Sequence, residues 1–288
     1  MSVPLLNASG CLDALTAPEV ATTLDAFVTK TVTPLAREGN PPPRIAETGG
    51  WMLNSIGLQN PGIEIFSTSV LPRLAELEVP IWVSAGGFSA SDYRNCCERL
   101  DALDAVAVIE LNLSCPNVDE APETAVELVR ASRDATSKPL YAKLSPATPD
   151  IAELARAVAD AGADGLALVN TLRGLAVDPG TARPRLALGR GGASGPALRP
   201  IALACVHACA NAVELPIVGI GGVMSGTDVM DFISVGASAV ALGTVLFADP
   251  FSPARIRGEL EREPRFRKYD LPPSIGRLGH ASAFTAGS

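Results

Sequence analysis

Eight short apolar, β-branched runs alternate with helical patterns, no linker-like stretch divides them, and every run ends in glycines or polar side chains. Together these observations predict a single-domain α/β protein of the (β/α)8, or TIM, barrel class. Strands are expected at 5–7, 27–30, 81–84, 106–111, 140–143, 166–170, 217–220 and 239–242. Near-continuous apolar runs of this length suit parallel strands buried on both faces. Helices are expected at 17–24, 64–77, 91–103, 123–136, 150–161, 196–212, 227–235 and 253–261. Several open on a polar cap or a proline: S-D-Y from Ser91, T-P-D from Thr148 and G-T-D from Gly226. The barrel is expected to fill residues 1–288, with about 265–288 as an extended tail. Segments 31–63 and 171–195 are long for plain connections, and long loops in compact domains are usually functional. A doubly wound dinucleotide fold is the competing arrangement. The glycine runs from Gly219 and Gly189 both lack the last glycine of G-x-G-x-x-G, so neither supports it.

Composition narrows the function classes. With 47% hydrophobic and 19% charged residues among 288, the chain has ample material for a core. A net charge of −8 argues against a nucleic-acid surface, which needs clustered Lys and Arg. No apolar run approaches the ~20 residues of a membrane span. The opening M-S-V-P-L-L-N lacks the pattern of a signal peptide, so a cytoplasmic protein is expected. The cysteines at 11, 96, 97, 115, 205 and 209 form no metal-like spacing, and reduced thiols are expected; Cys205 and Cys209, one helical turn apart, read as core.

The position of the unusual residues carries the functional signal. After the eight strands come, in order, Ala8 to Gly10; Lys30 and Thr31; Ser84 to Gly87; Asn112 to Asn117; Lys143 to Pro146; Asn170 and Thr171; Gly221 and Gly222; and Gly243 with Thr244. Glycines that merely turn loops and asparagines that merely cap helices would scatter between both ends of a barrel. Here they gather at the C-terminal face, where active sites of this fold lie. The last two pairs have the form of a phosphate cradle, with Gly195 a further contact, because glycine lets backbone N–H groups approach an anion. Lys30 and Lys143 can snorkel to solvent or, together, stabilise an anion formed during reaction. Asn54, Asn112, Asn117 and Asn170 offer the donors and acceptors that a flat heterocycle with amide edges requires.

Cys115 lies between Asn112 and Asn117 in N-L-S-C-P-N. Its polar neighbours weaken a packing role, and the absence of nearby His or Cys weakens a metal. The only histidines are His207, in a helix, and His280, in the tail, so no strand-end histidine is available to activate a nucleophile. Proton transfer remains.

These residues resemble the class 1 dihydroorotate dehydrogenases, and among them the NAD-linked subclass most closely. The matching runs are M-L-N-S-I-G-L-Q-N-P-G over 52–62, E-L-N-L-S-C-P-N over 110–117, Y-A-K-L-S over 141–145, A-G-A-D-G over 161–165, Asn170 with Thr171, S-G-P-A-L-R-P over 194–200 and G-A-S-A-V-A-L-G over 236–243. The resemblance implies an FMN enzyme of pyrimidine biosynthesis that oxidises dihydroorotate to orotate. Cys115 would take the C5 proton while hydride leaves C6 for flavin N5, and Lys143 would stabilise the reduced ring. Lys30, Asn54, Asn112, Asn117, Asn170 and Thr171 would hold the substrate, with Ile56, Gly57 and Leu58 lining its pocket. Ser9, Lys30, Thr31, Ser84, Asn112, Lys143, Val169, Gly195, Gly221, Gly222, Gly243 and Thr244 would contact FMN. Ser84 stands where many members carry asparagine.

The resemblance further implies a homodimer joined to an electron-transfer subunit carrying FAD and a 2Fe–2S cluster, which passes electrons to NAD. This chain has no cysteine spacing for such a cluster and no dinucleotide fingerprint, so a partner would have to supply both. The rival readings are a flavin barrel acting on another dihydropyrimidine, a non-redox phosphosugar isomerase or lyase barrel, and a non-catalytic flavin-binding subunit.

Overall fold

The computed structural model describes residues 3–113 and 125–265. The strands are β1 (Leu5–Asn7), β2 (Phe27–Val28), β3 (Ile45–Thr48), β4 (Trp51–Asn54), β5 (Ile81–Ala85), β6 (Val106–Asn112), β7 (Leu140–Leu144), β8 (Gly165–Leu168), β9 (Leu172–Gly174), β10 (Gly191–Ser194), β11 (Ile217–Ile220) and β12 (Ala239–Leu242). Eight of them run parallel in the order β1-β12-β11-β8-β7-β6-β5-β2, the strands expected from the apolar runs. Their alternation divides the apolar residues into two sets. Trp82, Val108, Tyr141, Ala167, Val218 and Ala239 fill the barrel interior. Val83, Ile109, Leu111, Ala142, Leu166 and Val240 face outward with the helices, where Cys96, Cys97, Cys205 and Cys209 also pack. The protein is a (β/α)8 barrel.

The seam between β1 and β2 is closed by side chains. Among the described residues a single backbone bridge, Leu6 to Ala26, joins the two. Asn7 adds what the ladder lacks: its Nδ2 donates to the Val28 carbonyl at 2.7 Å and its Oδ1 accepts the Val28 N–H at 2.8 Å. A buried amide has one donor face and one acceptor face, the same complement as a peptide group, so it can stand in for one.

Segments 31–63 and 171–195 are more than loops. They build an antiparallel sheet in the order β3-β4-β10-β9 over the C-terminal mouth of the barrel. Gly49 and Gly50 turn β3 into β4 with φ of 48° and 83°, both left-handed, as a two-residue hairpin turn demands. The helix expected at 64–77 starts at Ile63 and is interrupted by a widened turn over Phe66–Val70, two residues before Pro72, which has no N–H to donate. Helix caps fall one or two residues from the anticipated ones: Ser89, Asp150 and Ser225 accept the N–H groups of Asp92, Glu153 and Asp228. No helix among the described residues is long and apolar enough to cross a membrane. Residues 266–288, which include the anticipated tail, lie outside the described residues.

Candidate active site

Between the C-terminal ends of the barrel strands and the four-stranded sheet lies a cavity of about 290 Å³. The barrel contributes Ser9, Lys30, Thr31, Asn112, Lys143, Val169, Asn170, Thr171, Gly221, Gly222, Gly243 and Thr244 to its lining. The covering sheet and its flanks contribute Asn54, Ile56, Gly57, Leu58 and Gly195. Ser84 does not reach the cavity; it is buried behind Thr31, hydroxyl to hydroxyl at 2.9 Å. Cys115 and Asn117 lie outside the described residues.

The floor is charged. Strand alternation turns Glu110 and Lys143 inward from adjacent strands, where the Lys143 ammonium lies 3.4 Å from the Glu110 carboxylate and 3.1 Å from the Ser9 hydroxyl. Lys30 lines the same floor, its stem packed against Gly10. Cys11 lies beside these charges. Burial pushes its thiol above the usual value, while Lys143 and Lys30 pull the other way and Glu110 adds to the rise.

The amide groups are ordered by one another. Asn170 Nδ2 donates to Asn112 Oδ1 at 2.9 Å, and Asn112 Nδ2 donates to Thr31 Oγ1 at 3.1 Å. From below, Tyr93 donates to the Asn112 carbonyl at 2.5 Å. Asn170 Oδ1 accepts the N–H of Thr171 at 2.9 Å. A chain of this kind fixes which face of each amide donates and which accepts, presenting a planar ligand with a defined hydrogen-bond pattern.

The loop after β4 forms the opposite wall. Leu58 takes φ of 56°, a left-handed conformation uncommon outside glycine. Buried Asn60 holds it there by donating to the Leu58 carbonyl at 2.7 Å, while Asn40 donates to Ser55 Oγ at 3.0 Å and Arg37 to the Gly57 carbonyl at 3.3 Å. At the far end, Gly221 and Gly222 have φ of 134° and 71°. A Cβ on Gly222 would come within 2.9 Å of the Arg199 backbone N–H and the Gly195 carbonyl. The backbone is thus bare where strand β11 meets the cavity.

Several lining residues escaped the sequence reading: Cys11, Ile45, Met52, Ser194, Leu198, Ile220 and Phe247, with Glu110 just behind. The position of Cys11 right after Gly10 could have marked it. The glycine pair between Thr48 and Trp51 is a hairpin signal that could have revealed β3 and β4. Glu110 opens the matching run over 110–117, but it precedes the strand end, so the strand-end rule passes over it.

Residues 1–263 match the family described as dihydroorotate dehydrogenase. The chain belongs to the dihydroorotate dehydrogenase family. Within that family, a Geobacter sulfurreducens protein named dihydroorotate dehydrogenase B (NAD(+)), catalytic subunit, is 46% identical over 246 residues, covering 83% of this chain and 81% of its own length. A protein of the same name from Anoxybacillus flavithermus is 44% identical over 269 residues, covering 89% of this chain and 86% of its own. One from Listeria welshimeri is 43% identical over 267 residues, covering 89% and 88%. The dihydroorotate dehydrogenase match thus spans both the barrel and its covering sheet.

Proposed function

We infer that this chain oxidises dihydroorotate to orotate as the FMN-dependent catalytic subunit of an NAD-linked enzyme of pyrimidine biosynthesis. The observation that carries the reading is one cavity in which an ordered amide chain, two lysines and a bare glycine backbone face one another. The residues fit FMN. Gly195, Gly221, Gly222, Gly243 and Thr244 would hold the phosphate, and Lys143 with Ser9 and Thr31 would meet the polar edge of the ring. Bound FMN supplies the hydride acceptor.

Asn54, Asn112, Asn170 and Thr171, with Asn117, would bind the substrate ring and its carboxylate, and Lys30 adds a positive charge beside it. Ile56, Gly57 and Leu58 would cover the ring and exclude water. Cys115 would take the C5 proton; burial pushes the Cys11 thiol up, which disfavours the same role for it. Electrons would leave through a partner subunit carrying FAD and a 2Fe–2S cluster, in a cytoplasmic assembly built on a homodimer of this chain.

The test is anaerobic mixing of purified protein with dihydroorotate while flavin absorbance is followed. Bleaching at substoichiometric enzyme-to-substrate ratio, with orotate formed, is the expected result. Bleaching by dihydrouracil but not by dihydroorotate would overturn the substrate, and a colourless protein that takes up no FMN would overturn the cofactor.

A further inference from the structure

Glu110 is a buried carboxylate that nothing in the reaction uses. It is 2% exposed, on the inward face of β6, flanked by outward Ile109 and Leu111. Its partner Lys143 is 5% exposed on β7. Taking two charges out of water is costly, and replacing a buried pair by apolar side chains is often neutral or stabilising. Stability therefore does not account for Glu110, which sits in register between Ser84 on β5 and Tyr141 on β7, with apolar Val108 two residues back on the same strand face. Its location does: it lies directly behind the Lys143 ammonium, which also touches Ser9 at the cavity floor.

We propose that Glu110 is a positioning residue that aims Lys143 at the cavity and sets how much of its positive charge the cavity feels. The inference rests on FMN binding in this cavity. Reduction of bound flavin adds two electrons and one proton, both electrons and that proton arriving as substrate hydride, and leaves a net negative charge on the ring. A bare ammonium beside the ring would stabilise that anion strongly and hold the electrons. An ammonium half-neutralised by Glu110 stabilises it less, so the electrons can be passed on. At 3.4 Å in a buried site, the carboxylate acts on the ammonium strongly enough for this adjustment to be measurable.

The experiment is a redox titration of the FMN-loaded protein, wild type against Glu110→Gln, with dissociation constants for oxidised and reduced FMN measured alongside. Glu110→Gln is expected to move the midpoint potential to more positive values and to favour reduced over oxidised flavin roughly tenfold or more. In a Lys143→Gln background the same substitution is expected to have a much smaller effect, since the carboxylate acts through the ammonium. Glu110→Asp keeps the charge but withdraws it by one methylene; it guards against misfolding of the glutamine variant and is expected to shift the potential in the same direction by less. An unchanged or more negative potential in folded, flavin-bound variants overturns the inference, as does an equal shift with and without Lys143. Wild-type protein that takes up no FMN overturns the cofactor reading and this inference with it, whereas unchanged potentials in FMN-loaded variants overturn this inference alone.

Discussion

The two ends of the barrel use charged and polar side chains in opposite ways. At the N-terminal end, aspartates pin backbone: Asp25 accepts the Leu5 N–H and Arg257, both at 2.7 Å; Asp164 accepts the Leu140 N–H at 2.9 Å and Arg133 at 2.8 Å; Asp101 accepts the Ser137 N–H and the Thr136 hydroxyl, both at 2.7 Å. Each fastens the start of a strand or the turn leading into one. At the C-terminal end, Asn170 bonds to Asn112 and Asn112 to Thr31, while Lys143 bonds to Ser9 and Glu110, all around a cavity. The difference teaches where to look for chemistry: polar groups spent on backbone are structural, and those spent on ordering each other around an open space are available to a ligand.

Substitutions at the two ends should therefore separate turnover from stability. The largest effect is expected from Cys115→Ala, with turnover falling by roughly 10²–10⁴-fold, the usual contribution of a general base, while bound flavin and melting temperature stay unchanged. Steady-state kinetics and flavin content measured on one preparation check it. A variant that lost its flavin but kept per-flavin turnover would break the assignment.

Next comes Gly222→Val. It places a branched side chain at φ of 71° against the Arg199 N–H, a strain of about 1–3 kcal/mol before any lost phosphate contact. FMN retention on desalting should drop at least about tenfold. Asn112→Ala cuts the amide chain in the middle. The expected result is a fall in kcat/KM for dihydroorotate of about tenfold, in line with ~1–3 kcal/mol for a buried partner left unpaired, with the melting temperature much less affected.

At the N-terminal end the order reverses. Asp164→Ala leaves the Leu140 N–H without its acceptor and should lower unfolding free energy by about 1 kcal/mol, a modest figure because the Arg133 pair is half-exposed, with kcat/KM intact. Denaturant unfolding beside kinetics tests both halves of that statement. The smallest effect is pH-dependent. The Thr136 hydroxyl first, then the Ser137 N–H, hold the Asp101 carboxyl below its ordinary value of 3.8. A folded value below the unfolded one means stability that is present above pH 3.8 and lost as the pH falls through the lowered folded value. Asp101→Asn should therefore be less stable than wild type at neutral pH, with the gap closing on acidification.

The barrel was legible because its strands are Val-, Ile- and Leu-rich runs buried on both sides, and burial on both sides leaves no polar alternation to misread. The covering sheet was not, because β3 buries only Ala46 and β9 buries no residue fully, so apolar density does not mark them. Among the candidate residues, the strand-end rule reached Ser9, Lys30, Asn112, Lys143, Asn170 and both glycine pairs, all of which line the cavity. It also pointed to Ser84, which the structure puts behind Thr31, because the rule gives the end of the barrel and not the depth of a side chain.

By itself the sequence determined the order of strands and helices, the end of the barrel at which the site lies, and the family, since periodicity and motif are local properties of the chain. Tertiary structure alone decided the pairing of Glu110 with Lys143, the closure of the seam by Asn7 and the donor direction along Asn170, Asn112 and Thr31. Each of those depends on the register of strands distant in sequence, and a hydrogen bond or ion pair exists only when two such strands bring atoms within about 3 Å of one another.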